Sequence, residues 1–341
     1  MDRKWFLKLL GMGSVGSLAT GTDSLSQSSP KTMLPKRLKQ GDTIGLVSPA
    51  SRLPKKKQYD KIIRQVKDLG YNVKVGDHAR RRYGYLAGED EQRAEDLNAM
   101  FADDSVDAIL PFRGGWGCNR ILPLLDYETI RKNPKILVGF SDITSLLNAI
   151  YTKTGLITFH GPVGKVDWTD YTIQHFRKSL GSQDPYTLEI PPADLCKDCN
   201  KLSVITPGTA SGRLLGGNLS VLTAMLGSEY VPDWEGNILF LEDVGEDVYR
   251  IDRMLTQLKL NGVFEKISGF VFGQCTSCDR ANSYSLTLKQ VFEDHLKPFD
   301  IPAFSGAMFG HISKMITLPV GIPAEMDAQR GSIKITESAT R

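Results

Sequence analysis

The chain has 341 residues, 41% hydrophobic and 24% charged, the balance of a soluble globular protein with enough length for two domains. Its formal net charge is only +3 and no basic stripe with interleaved aromatics runs through it, which argues against nucleic acid or another polyanion as a partner. No stretch reaches the roughly 18 apolar residues that a membrane span needs, so stable membrane insertion is not expected.

Residues 1–34 differ from the rest of the chain. A charged start to Lys8, a mildly apolar middle to Gly21 and a Ser-rich stretch to Pro30 together predict an export signal. Arg3-Lys4-Trp5-Phe6-Leu7-Lys8 resembles the twin-arginine motif, with Lys4 in place of the second arginine. The expected location is therefore periplasmic or exported. The alternative is a cytoplasmic protein with a weakly helical tail.

From Lys36 onward the pattern is regular. Thr43 to Ser48 is a short apolar run that predicts a buried strand. Lys57 to Leu69 carries Tyr59, Ile62, Ile63, Val66 and Leu69 at helical spacing, and Gly70 stops it. A strand is expected over 71–75, a helix over 89–101, a strand over 106–110 and a short helix around Ile121, Leu122 and Leu125. A strand over 135–139, a helix over 142–151 and a strand over 156–159 come next. Strands alternating with helices imply a parallel sheet covered on both faces, with ligands beyond the carboxyl ends of its strands. Arg113-Gly-Gly-Trp-Gly117 and Gly139-Phe-Ser-Asp142 both lie at such ends.

These readings divide the chain into the leader (1–34), an N-terminal α/β domain (35–165), a linker (166–210) and a C-terminal domain (211–341). The linker holds Pro185, Pro191, Pro192 and Pro207 and has weak periodicity. In the last domain, helices are expected over 218–226, 248–260 and 286–295, and strands over 237–242, 269–274 and 333–335.

A strand that delivers Ser141 straight into a helix follows the logic of a nucleophile elbow. A serine before an aspartate at a helix start is more often simply an N-cap. The glycines of 113–117 let backbone N–H groups approach an anion or oxyanion, or simply make a tight turn. Arg113 could grip a substrate carboxylate with two N–H groups or be a solvated charge. Trp116 could stack on a ligand or pack in the core or at the rim. Glu242 ends the apolar run Ile238 to Leu241, where a carboxylate can orient an imidazole, cap the strand or pair with Arg250. His311, flanked by Gly310, titrates near neutrality and suits a general base.

Gly-Phe-Ser-Asp-Ile-Thr (139–144) after Arg-Gly-Gly-Trp-Gly (113–117), then Leu-Leu-Gly-Gly-Asn-Leu (214–219), Leu-Glu-Asp-Val-Gly-Glu (241–246), Tyr-Arg-Ile-Asp-Arg-Met-Leu (249–255) and Gly-His-Ile (310–312), resembles the LD-carboxypeptidase family of serine peptidases, which also contains microcin C immunity proteins. The likeness runs in order over about residues 38–330. It implies a flavodoxin-like N-terminal parallel-sheet domain, a smaller β-rich C-terminal domain and a homodimer. It further implies a triad of Ser141, Glu242 and His311, an oxyanion hole from Gly114 or Gly115 and Asp142, and chemistry without metal or cofactor. The implied substrate is a murein peptide that loses its terminal D-alanine from a tetrapeptide across an L–D bond. The alternatives are a hydrolase of acyl-nucleotide conjugates, as in microcin immunity, and a muropeptide-binding protein with a silent triad.

Cys196 and Cys199, like Cys275 and Cys278, have two-residue spacing. A four-thiolate zinc site, at least one disulfide and unrelated free thiols are all compatible with it. Cys118 beside the glycine loop has no base that the sequence pairs with it.

Overall fold

The structure, a computed structural model, describes residues 31–189 and 201–341. The expected leader up to Pro30 and the Cys196/Cys199 pair lie outside the described residues. Among those residues, no helix is long and apolar enough to cross a membrane.

The first half alternates as the sequence implies. Strand β1 (Thr43–Val47) leads to helix α1 (Lys56–Asp68), β2 (Asn72–Val75), α2 (Asp90–Ala102) and β3 (Ala108–Pro111). Two short helices, α3 (Cys118–Ile121) and α4 (Tyr127–Lys132), then precede β4 (Ile136–Gly139), α5 (Thr144–Thr154) and β5 (Thr158–His160). Strands β3, β4 and β5 are buried along their whole length, as expected when helices cover both faces of a parallel sheet. Their spatial order is β2-β1-β3-β4-β5, the doubly wound order of flavodoxin-like sheets. Its crevice opens between β1 and β3, at the ends that carry the glycine loop and Ser141.

Residues 170–181 correct the linker expectation. They form helix α6 (Asp170–Gly181), started by Thr169, whose hydroxyl accepts from Thr172 N at 3.3 Å. Its buried face mixes Phe176 and Leu180 with Thr172 and Ser179, so the small polar residues hide the apolar periodicity. Helix α4 was hidden by its length: six residues give less than two turns of pattern.

The second half continues with β6 (Tyr186–Glu189), β7 (Ser203–Thr206), β8 (Thr209–Asn218), α7 (Leu219–Thr223), β9 (Ile238–Val244) and α8 (Val248–Leu260). Then come β10 (Gly269–Thr276), α9 (Leu288–Leu296), β11 (Ala303–Ser305), β12 (Leu318–Val320), β13 (Pro323–Asp327) and β14 (Ser332–Ile335). The second sheet is mixed, in the order β6-β14-β13-β8-β9-β10-β11-β7, with β8 to β11 parallel.

The two halves are stitched together. Strand β12 leaves the second half and pairs antiparallel with β5 at the edge of the first sheet, where Pro319 lacks only a donor the edge does not need. Asn148 Nδ2 on α5 donates to Gly216 O at 2.8 Å, and Asn218 N donates to Thr144 Oγ1 at 2.9 Å. The helix that follows Ser141 therefore lies directly on β8.

Candidate active site

Strand β4 is fully apolar until Gly139, and the chain then turns sharply. Phe140 is extended (φ −147°), and Ser141 has φ +62°. Among the described residues only Ser141, Ser277 and Asp300 are non-glycine residues with positive φ. Such a backbone costs about 1–3 kcal/mol and persists where surrounding structure imposes it. The extended position before the 3₁₀ turn Ser141–Ile143 belongs to Phe140, so Ser141 does not occupy the N-cap position that its local pattern suggested. It lines a cavity of about 750 Å³.

The glycine loop leaves the end of β3 and packs on this turn. A Cβ at Gly114 would stand 2.9 Å from Ser141 Cβ and 3.1 Å from its Oγ, so only glycine admits this approach. Two contacts pin the loop. Trp116 N donates to Ser51 Oγ at 3.2 Å, and Cys118 N donates to Asp142 Oδ2 at 2.9 Å. Burial raises the Asp142 pKa, against the partial offset of the Cys118 bonds. The N–H groups of Gly114 and Gly115 have no acceptor among the described residues, which leaves them for a ligand. Arg113 Nε donates to Gly114 O at 3.0 Å and does not line the cavity. Trp116 does line it and is 71% exposed, so core packing does not account for that side chain. The rest of the wall includes Tyr85, Asn119, Asn218, Asp243 and Glu246.

The second sheet brings a carboxylate and an imidazole. Glu242, fully buried near the end of β9, accepts from His311 Nδ1 at 2.8 Å on Oε2 and from Asn218 Nδ2 at 3.2 Å on Oε1. Removing a carboxylate from water costs on the order of several kcal/mol unless such partners compensate. The register of parallel β8 and β9 sets Asn218 directly beside Glu242. Burial raises the Glu242 pKa, but His311 and the hydrogen bonds outweigh it and the net direction is down. For His311 burial lowers the pKa, yet the charge and hydrogen bond of Glu242 outweigh it and the net direction is up. Gly310 (φ +118°) makes the close pairing possible, because a Cβ there would sit 3.0 Å from Glu242 Oε2.

His311 packs on Phe140, the residue before Ser141, with ring centres 4.7 Å apart. Thr276 Oγ1 donates to His311 O at 3.0 Å and fixes its backbone. Beneath them His160 is buried among Phe140, Phe240 and Phe309, and burial holds its pKa down to about 4. Asp243, beside Glu242, is raised to about 6 by burial and by the neighbouring charge.

The structure thus places Gly114, Gly115, Asp142 and Trp116 around Ser141 and separately pairs Glu242 with His311, whose imidazole packs on Phe140; no hydrogen bond joins Ser141 to His311 among the described residues. Sequence reasoning missed Ser51, Asn218 and Thr276. Asn218 left a trace, since Gly216-Gly217-Asn218 before an apolar run is a helix-start pattern, and its Oδ1 accepts from Val221 N at 3.1 Å. Ser51 and Thr276 left none. Of the cysteine readings, a disulfide joins Cys275 to Cys278, which removes both thiolates from a four-thiolate zinc site. Cys118 is fully buried, and burial pushes its thiol well above the ordinary range, which makes it inert.

Comparisons with known proteins agree on this architecture. Residues 44–161 match the LD-carboxypeptidase N-terminal domain and residues 211–326 the LD-carboxypeptidase C-terminal domain. A Bacillus subtilis protein named probable murein peptide carboxypeptidase is 41% identical over 302 residues, covering 86% of this chain and 91% of that protein. The murein tetrapeptide carboxypeptidase of Pseudomonas aeruginosa is 31% identical over 296 residues, covering 84% and 94%. The microcin C7 self-immunity protein MccF of Escherichia coli is 33% identical over 337 residues, covering 91% and 97%. A structure of MccF in complex with glutamyl sulfamoyl guanosine superimposes with a TM-score of 0.83 at 30% identity, covering 90% of this chain and 99% of that one.

Proposed function

The chain belongs to the LD-carboxypeptidase family, and from that premise we propose that it is a serine-type carboxypeptidase releasing the terminal D-alanine of peptidoglycan tetrapeptides. Its relatives support carboxypeptidase activity at the level of the family. The observation that carries the serine reading is Ser141 itself. A serine held at φ +62° on a strand-to-helix turn, under a glycine loop with two unengaged N–H groups, is what a nucleophile elbow requires.

In this reading His311 takes the Ser141 proton, and Glu242 fixes its tautomer by accepting from Nδ1 and stabilises the imidazolium. Ser141 attacks the carbonyl before the terminal residue and forms an acyl-enzyme. The N–H groups of Gly114 or Gly115 and of Asp142 receive the oxyanion, each such donor being worth about 3 kcal/mol. Protonated His311 hands its proton to the leaving amine, and water then releases the acid. A homodimer and an exported location belong to the same reading, testable by light scattering and by cell fractionation.

The deciding experiment follows D-alanine release from a murein tetrapeptide by mass spectrometry, beside Ser141→Ala. Release that survives the substitution removes Ser141 from its role. The similarity to MccF favours a second reading, hydrolysis of an acyl-nucleotide conjugate. An acyl-sulfamoyl adenylate in the same assay separates the two, because turnover of that compound alone would replace the murein substrate and leave the mechanism standing.

A further inference from the structure

The Cys275–Cys278 disulfide closes a four-residue ring at the end of β10, with its Cα atoms 5.4 Å apart. The ring encloses Thr276 and Ser277. Thr276 is the residue whose hydroxyl holds the His311 carbonyl. Its own carbonyl accepts from Gly245 N at 2.9 Å, and it pairs with Val244 across β9, as Cys275 pairs with Asp243. The ring therefore touches both sequence neighbourhoods that meet in the Glu242–His311 bond. Just before it, Gln274 N donates to Phe309 O at 2.9 Å, so the rest of the histidine loop hangs on the same strand.

Two further features mark the ring as openable. Ser277 is held at φ +55°, a conformation that a serine leaves when nothing imposes it. The ring also lies at the surface: Ser277 is exposed and Cys278 half-buried, whereas Cys275 is buried. Cys278 is the less buried end of the ring, the end an external thiolate meets first, while Cys275 sits against the site.

We propose that Cys275–Cys278 is a redox-modification site whose reductant is a dithiol and whose opening lowers activity by loosening Thr276 from His311. The proposal rests on the general-base role assigned to His311. In the reaction, one thiolate of the dithiol attacks the Cys278 sulfur, forming a mixed disulfide and expelling the Cys275 thiolate, which takes up a proton. The second thiol of the reductant then closes onto its own sulfur and releases Cys278 as a thiol. Two electrons pass from the dithiol to the protein disulfide, and the reductant leaves as its own disulfide. Oxidation of the protein dithiol by a small disulfide reverses the exchange.

The test uses the full chain, oxidised and then titrated with dithiothreitol, with the state of each cysteine read by maleimide trapping and mass spectrometry. On reduction of the 275/278 pair, kcat should fall about tenfold with KM little changed, in line with the cost of a small misplacement of a catalytic group. Reoxidation should restore it. Cys196→Ser/Cys199→Ser should keep this response, and Cys275→Ser/Cys278→Ser should be low and blind to the reductant. Unchanged kcat after complete reduction of the pair, or an equal response in Cys275→Ser/Cys278→Ser, overturns the proposal. Amide hydrogen exchange over 309–312, measured without substrate, keeps the inference separate from the assigned activity and from any variant that fails to fold. Faster exchange on reduction of the wild-type chain supports the mechanical link even if no tetrapeptide is cleaved, and unchanged exchange refutes it.

Discussion

The first sheet contributes backbone to the candidate site: a left-handed serine, a glycine loop and unengaged N–H groups at the ends of β3 and β4. The second sheet contributes side chains: a buried carboxylate, the imidazole it orients, and an asparagine set beside them by strand register. The first half is rigid because close approach leaves no room for another residue. The second half is rigid because a buried charge has to be satisfied. Damage to the two halves should therefore look different, by size on one side and by charge on the other.

The largest effect is expected on the charged side. Glu242→Gln keeps the shape but can no longer accept a proton-bearing Nδ1 with full charge, so kcat should fall by about 10⁴-fold, as for an orienting carboxylate in a serine triad. Steady-state kinetics on the tetrapeptide checks this, and a loss below tenfold would break the assignment of Glu242. On the backbone side, Gly114→Ala places a Cβ 2.9 Å from Ser141 Cβ. A loss of about 10²-fold in kcat is expected, because an oxyanion donor and the nucleophile are displaced together. Its fluorophosphonate labelling at Ser141 should slow in parallel, whereas its pH dependence should not move.

The same contrast decides what could be read from sequence. The backbone half was legible because glycines at strand ends and a serine before a helix are local patterns. The parallel sheet was legible for the same reason, since β1, β3 and β4 are nearly continuous apolar runs. Glu242 and His311 were each ambiguous alone, lying 69 residues apart, and only the ordered set of motifs joined them. The partners that hold them were not legible at all. Thr276 and Ser51 act through one hydroxyl each, and their contacts are fixed by tertiary approach at separations of 35 and 65 residues. Helix α6 escaped because Thr172 and Ser179 stand on its buried face, where an apolar period was expected.

Asn218 is a smaller lever on the charged half. Asn218→Ala removes a donor to Glu242 Oε1 and to Asp243 Oδ1, together with the N-cap of α7. A stability loss of about 1–3 kcal/mol is expected from the unsatisfied buried groups. Denaturant unfolding measures it. The activity loss should stay well below that of Glu242→Gln, because the His311 bond to Oε2 remains.

The smallest expected effect is a shift along the pH axis, and it tests the comparison most finely. His311 works as a base only when neutral, so kcat/KM should fall as pH drops through its pKa. Glu242 holds that pKa above the ordinary 6.5, so the acid limb should begin above 6.5. In Glu242→Gln the attraction is gone and burial dominates, so the limb of the residual activity should move down. His160 stays neutral throughout this range, with its pKa near 4. Asp243, raised to about 6, also raises the His311 pKa through its charge, so Asp243→Asn separates its contribution. A limb that stays in place in Glu242→Gln would mean that the carboxylate supports His311 by position alone. The second sheet would then act on the serine by shape, as the first one does.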